Sequence, residues 1–202
     1  MYESHITING LEDEDFKTIC KRLGVRPVII ENDTGSNTRQ LMTARFHKTN
    51  SQQQATQEME AIASNFKNVV RRKLEKIIGK TDTIPDHLYL EFHLKYEVKE
   101  SQLDQFVKTV IKAGGHTSKN VVKQSQFATA RNKETYFRLK NDLRNYRKIN
   151  GIMECVVFDD NPNIDVGWHG CAGCMFKNIP ELFEGVAQLV EQPAKRLYVS
   201  CP

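Results

Sequence analysis

The 202-residue sequence contains no apolar run long enough to cross a membrane and no basic-then-apolar pattern of a secretory leader at its N-terminus. Those two absences point to the cytoplasm (of the host cell, if the chain is phage-encoded). It has no Gly-rich loop of the P-loop or dinucleotide-binding type, so phosphate cradling by such a loop is not expected. A net charge of +4 falls far short of the clustered basic face of a nucleic-acid binder, although it suits an anionic small ligand as partner. The five cysteines (Cys20, Cys155, Cys171, Cys174 and Cys201) are an odd number without secretory context and read as reduced thiols. Outside the last segment none stands in a motif beside a histidine, which argues against a cysteine nucleophile. The turn cluster Asp159 to Asp165 lacks the Gly and terminal Glu of a calcium-binding EF loop.

What is present is organised around Leu88 to Val98. Its even positions, Leu88, Leu90, Phe92, Leu94, Tyr96 and Val98, are apolar or aromatic, while Glu91, His93, Lys95 and Glu97 alternate with them. A period of two over that length predicts a β-strand with one face on a core and a row of ionisable groups on the other. Tyr2 to Ile8 echoes it, with Glu3, His5 and Thr7 on one face and Ile6 and Ile8 on the other.

Between these strands the patterning predicts a helix with an acidic first turn at Glu12 to Asp15, stopped by Gly24, then strands at 25–31 and 40–47. A helix at 52–68 and a strand at 69–78 complete the series strand–helix–strand–strand–helix–strand. Gly79 to His87 reads as a linker. The series then repeats, with a helix from Ser101, whose Ser101-x-x-Asp104 resembles a capping box. Strands follow at 116–122 and 126–131, then a helix carrying Tyr136, Leu139, Leu143 and Tyr146, and a strand at 152–158. Glu3-x-His5 answers Glu91-x-His93, Thr43-Ala44-Arg45 answers Thr129-Ala130-Arg131, and Glu75 answers Glu154. The expectation is an α+β chain of two tandem ferredoxin-like (βαββαβ) repeats, residues 1–80 and 81–167, with their sheets facing across a polar groove.

That groove would be lined on one side by Glu3, His5, Thr7, Thr43, Arg45, Lys73 and Glu75. The opposite side would supply Glu91, His93, Lys95, Thr129, Arg131 and Glu154. Buried charges need partners, so such a lining points to a ligand site. Three chemistries suit it. In the first, His5 and His93 are general acid and base for a phosphoester, the hydroxyls and cations hold the anion, the glutamates support, and no cofactor is required. In the second, Glu3, His5, Glu91 and His93 ligate a divalent transition metal. In the third, the groove binds an anion without catalysis, and the Thr-Ala-Arg pairs form a salt-bridge lattice with Glu75 and Glu154.

The first chemistry resembles the two-histidine phosphoesterase superfamily, a duplicated fold with His-x-Thr/Ser in each half; His5-x-Thr7 matches and His93-x-Lys95 departs. The resemblance implies a hydrolase acting on a phosphorylated or nucleotide-like substrate. The second is similar in ligand type to the glyoxalase and ring-cleaving dioxygenase superfamily. The twofold Glu-x-His pattern is also similar to that of a group of phage and bacterial proteins, which implies no particular reaction.

Beyond Trp168 the patterning dissolves. His169, Cys171 and Cys174 are half of a zinc site at best, and incidental thiols are the plainer reading. Gly185 to Gln192 resembles the peptide obtained by translating the start of a transfer-RNA gene. Residues 168–202 are therefore either a frame extension that can be removed or a peripheral segment with a short amphipathic helix at Ile179 to Leu189.

Overall fold

A computed structural model describes residues 1–32, 38–78 and 85–165, excepting the side chains of residues 163 and 165. The readings of the 168–202 segment lie outside the described residues. The elements run β1 (Tyr2–Ile8), α1 (Asp13–Leu23), β2 (Arg26–Asn32), β3 (Arg39–His47), α2 (Gln52–Ala63) and β4 (Val69–Ile77). They continue with β5 (Tyr89–Glu97), α3 (Leu103–Lys112), β6 (His116–Asn120), β7 (Ser125–Ala130), α4 (Lys133–Asp142) and β8 (Arg147–Asp159).

Local chemistry accounts for the helix ends. In α1, Asp13, Glu14 and Asp15 face the positive end of the helix dipole and Lys21 and Arg22 the negative end. Gly24, with φ of 64°, lets the chain leave in the left-handed conformation, and its N–H bonds back to the Lys21 carbonyl. The Ser51 hydroxyl accepts from the Gln54 N–H to cap α2, and the Asn132 carboxamide accepts from the Thr135 N–H to cap α4. The capping box anticipated at Ser101 does not form. Residues Glu100–Gln102 make a 3-10 turn, and α3 starts after Gln102 with no side-chain cap.

The expected pair of sheets is corrected by the topology. All eight strands join in one closed antiparallel barrel, ordered β1-β3-β2-β6-β7-β5-β8-β4 and back to β1. Four neighbouring strands come from before residue 80 and four from after it. Two facing sheets would leave the edges of β2, β4, β6 and β8 with unpaired backbone groups. Pairing β2 with β6 and β4 with β8 satisfies them, and twist brings the edges round.

The helices cover the outside. Ile6, Ile8 and Leu74 meet Phe16 of α1 and Met59 of α2 in one buried cluster. Phe92, Leu94 and Tyr96 meet Phe106 of α3 and Leu139 of α4 in another. With the apolar side of β1, β4 and β5 turned out to the helices, their ionisable side turns into the lumen. An eight-stranded barrel leaves room there for side chains or one small ligand.

Candidate functional site

The lumen encloses a cavity of about 380 Å³ whose wall includes Glu3, His5, Lys73, Glu75, Glu91, His93 and Glu154. Cross-strand register sets this lining. Opposed residues share a face, and Lys73 lies opposite His5, Glu75 opposite Glu3, Glu154 opposite Glu91, and Thr129 opposite His93. Ile152 and Val122, 42% and 53% exposed, also line the cavity and mark its open side.

Ion pairs knit this wall together across the two halves. Lys73 Nζ lies 2.5 Å from Glu75 Oε1 and 2.8 Å from Glu91 Oε2. Arg131 donates from Nε to Glu91 Oε1 at 2.9 Å, with its guanidinium 4.7 Å above the Tyr89 ring. Arg71 donates to both oxygens of Asp159 at 3.0 and 2.6 Å, and the Tyr89 hydroxyl donates to Asp159 at 2.5 Å. Glu3 accepts from Arg26 at 2.8 Å.

At the centre stand two imidazoles and three carboxylates. His5 Nε2 is 2.9 Å from Glu75 Oε2, and His93 Nε2 is 3.3 Å from both Glu91 Oε2 and Glu154 Oε2. His5 Nδ1 lies 3.2 Å from the Thr43 carbonyl oxygen, which only accepts, so Nδ1 carries a proton. A neutral His5 would then aim its Nε2 lone pair at Glu75. Without a cation between them, the ring must be imidazolium. His93 Nδ1 is fixed by the Thr129 hydroxyl at 2.9 Å, which aims Nε2 at the carboxylates.

The electrostatics agree. Burial alone would push both imidazoles down, but at His5 the charge and hydrogen bond of Glu75 outweigh it and raise the pKa. At His93 the hydrogen bonds and charges of Glu154 and Glu91 outweigh burial and push the ring up to about 10. Burial works against the Glu75 carboxylate too, yet the charges of Lys73 and His5 hold it down at about 2. Glu154 goes the other way: burial and then the Glu75 charge raise it. The cluster thus repels one of its own carboxylates and draws in protons.

Both Glu75 carboxylate oxygens are buried, one ion-paired to His5 at 2.9 Å and the other to Lys73 at 2.5 Å. One donor atom from each of Glu75, His93 and Glu154 falls within 4.8 Å of the others. Donors that share an ion at about 2.0–2.2 Å can be no more than about 4.4 Å apart. Three donors around one tetrahedral ion stand about 3.3–3.6 Å apart, so the side chains would draw inward to hold a metal.

The acid–base phosphoesterase reading is corrected by this geometry. A general base must be unprotonated and open to the substrate, whereas both histidines are held protonated and bound at both ring nitrogens. Glu75, Glu91 and Glu154 would also repel a phosphoryl group there. The clamp fails as well: Lys73 and Arg131 are committed to carboxylates, which leaves Lys95. Thr7 is buried beside Arg71 and outside the cavity wall, its hydroxyl without a hydrogen-bond partner.

Thr43 and Arg45 are on the other side of the sheet. Ala44, not Thr43, lies opposite His5, so Thr43 pairs with the outward Ile6, and Arg45 donates to the Gly24 carbonyl at 3.3 Å. In the metal set anticipated from sequence, Glu3 belongs to Arg26, and Glu75 and Glu154 stand closer to the imidazoles than expected. Sequence reasoning missed Arg71, Tyr89 and Asp159. Tyr89 shares the odd-numbered face of β5 and Arg71 the face of Lys73 and Glu75, so strand parity alone would have placed both in the lumen.

Outside the barrel, His47 lies 2.8 Å from the Ser4 hydroxyl and 2.7 Å from Glu58. The order resembles a serine–histidine–acid triad, but Ser4 has no exposed surface. No substrate reaches it, and the three tie α2 to β1 and β3. Cys20 and Cys155 are buried free thiols whose pKa burial pushes up to about 12. Among the described residues no helix is long and apolar enough to cross a membrane.

No family model matches the chain, and no curated protein does. Solved structures similar to it include one from Fusobacterium nucleatum described as a monooxygenase. That one is 9% identical with a TM-score of 0.30, over 83% of this chain and 94% of that one. A siroheme decarboxylase aligns at 10% identity and TM-score 0.28, over 78% and 72% of the two chains. A protein described as a chlorite dismutase aligns at 9% and 0.27, over 81% and 97%. Likenesses this distant do not bear on activity.

Proposed function

We propose that the lumen is a mononuclear divalent-metal centre and that the protein is a metal-dependent enzyme acting on a small molecule admitted to the barrel. Glu75, His93 and Glu154 would hold the ion, with His5 beside Glu75. The observation that carries this reading is the convergence of one donor atom from each of Glu75, His93 and Glu154, two of them buried, to within 4.8 Å of one another.

Charge supports it. Glu75, Glu91 and Glu154 carry three negative charges, and Lys73 and Arg131 return two positive ones. Protonating His5 and His93 adds two more. A divalent ion bound to neutral imidazoles adds the same two, so metal can replace the two protons without changing the total charge. A mixed imidazole and carboxylate set suits zinc, manganese or iron(II). Such an ion polarises an oxygen of a bound substrate. Thr129 would orient His93, and Lys73 and Arg131 would hold Glu91 beside the ligands.

The test is elemental analysis of protein purified without a metal-affinity tag, followed by titration of the stripped protein with Zn²⁺, Mn²⁺ and Fe²⁺. About one equivalent is expected. In Glu75→Gln and His93→Gln affinity should fall by more than the ~10–100-fold that follows loss of an outer-shell partner. Wild-type protein that neither retains nor takes up any of the three ions would overturn the proposal, and so would unchanged uptake in both variants.

A further inference from the structure

Most lumen cations are already committed: Arg26 to Glu3, Lys73 to Glu75 and Glu91, Arg71 to Asp159, and Arg131 to Glu91. Lys95 is different. It lines the cavity two residues beyond His93 on β5, half-buried, and no carboxylate among the described residues pairs with it. Its ammonium lies 5.8 Å from the centroid of the Phe127 ring. Lys123, exposed at the rim and also without a carboxylate partner, would draw anions toward the mouth.

The wall that Lys95 shares is mixed: Val28, Ile30, Met42, Phe127 and Ile152 line the same cavity, and uncharged Asn150 lies opposite Lys95. The lumen therefore has two unlike ends. The Glu75, His93 and Glu154 cluster is one. An ammonium without a carboxylate partner, beside the Phe127 ring and uncharged neighbours, is the other. Side chains two apart on a strand are separated by about 6.5–7 Å, a span that one ring bearing a carboxylate fills. The cavity lies at the small end of the range for ligand pockets, about 300–1,000 Å³.

We infer that the lumen binds a small monocarboxylate with a compact apolar or aromatic body. The carboxylate lies on Lys95, the body lies against Phe127, Ile152 and Met42, and the far end of the molecule points at the Glu75, His93 and Glu154 cluster. One point-charge ammonium matches one negative charge. A second charge at the far end of the molecule would lie toward Glu91 and Glu154, where Lys73 and Arg131 are already paired. The inference rests on the lumen as the ligand site proposed above, but its evidence, Lys95 and the apolar side chains near it, is separate from the metal donors.

The experiment is calorimetric titration of the purified protein with benzoate and hexanoate and with their neutral amides, benzamide and hexanamide. Wild type, Lys95→Met and Lys95→Arg are compared, with metal content measured for each. At least one carboxylate should bind, and its amide should bind about tenfold or more weakly. Lys95→Met should lose about the same factor, Lys95→Arg should keep binding, and metal content should not change. Failure of both carboxylates, equal binding of acid and amide, or full binding by Lys95→Met would each overturn the inference. If Lys95→Met does not fold, the comparison of acid with amide on wild type still decides. Lys95-dependent binding to protein that takes up no metal would sink the metal centre and leave this inference standing. Metal without carboxylate binding would do the reverse.

Discussion

His93 sits where two carboxylates meet one imidazole, so in the metal-free protein its proton is part of the fold. The folded pKa is raised to about 10 from an ordinary 6.5. A raised histidine contributes stability that is complete below the unfolded pKa and is lost as pH climbs through the folded one. Metal-free protein should therefore lose stability steadily between about pH 6.5 and pH 10, as read from urea midpoints at fixed temperature. His93→Gln should show a shallower slope across that window; an identical slope would mean the proton is not held there. The residues of this cluster were legible in sequence because a period of two marks the inward face of a strand. Glu3, His5, Glu91 and His93 all fell on it. Their protonation was not legible, since it depends on Glu75 and Glu154, which lie on neighbouring strands far along the chain and meet the histidines only once those strands pair.

Elements were readable wherever patterning was strong and less so where tertiary pairing does the work. β8 runs from Arg147, not Ile152, because Lys95, Tyr96 and Glu97 of β5 pair with a stretch that is exposed and carries no alternation. The Thr-Ala-Arg correspondence shows the limit more sharply. Its sequence spacing suggested equivalent sites, yet Ala44 stands opposite His5 where Thr129 stands opposite His93. A slip of one residue moves a whole side-chain set to the other face, so Arg131 enters the lumen and Arg45 does not. At the junction of α3 and β6 a single glycine sets how closely the helices pack. A Cβ at Gly115 would lie 3.0 Å from both Leu139 Cδ1 and Val110 Cγ1. Gly115→Ala should cost about 1–3 kcal/mol, the usual range for overpacking a filled core. Urea denaturation gives the value, and a change within error of zero would show that α3 and α4 can move apart freely.

On the scale of the whole molecule, closure is what no local pattern announced. Which edge strand meets which is a long-range choice, and the β2–β6 seam is only three residue pairs long, from Ile30 opposite Asn120 to Asn32 opposite Ser118. The β4–β8 seam spans five pairs and includes a register shift. What the short seams lack, the lumen supplies. Lys73 to Glu91, Arg71 to Asp159 and Arg71 to the Tyr89 hydroxyl all run from the first half of the chain to the second. Cutting the chain in the 79–84 region would leave each piece with two open strand edges and a face of unpaired buried charges. Breaking a buried pair by removing one partner costs about 3–5 kcal/mol, and here several would be broken at once. Residues 1–80 expressed alone should therefore fail to give a stable monomer, either self-associating through the open edges or remaining unfolded. Adding residues 81–165 should restore a one-to-one complex with a cooperative melt. Light scattering and circular dichroism on the separate and mixed pieces decide the matter. A monomeric, cooperatively melting 1–80 piece would show that the first half is a domain in its own right and that the lumen ion pairs join finished units without completing them.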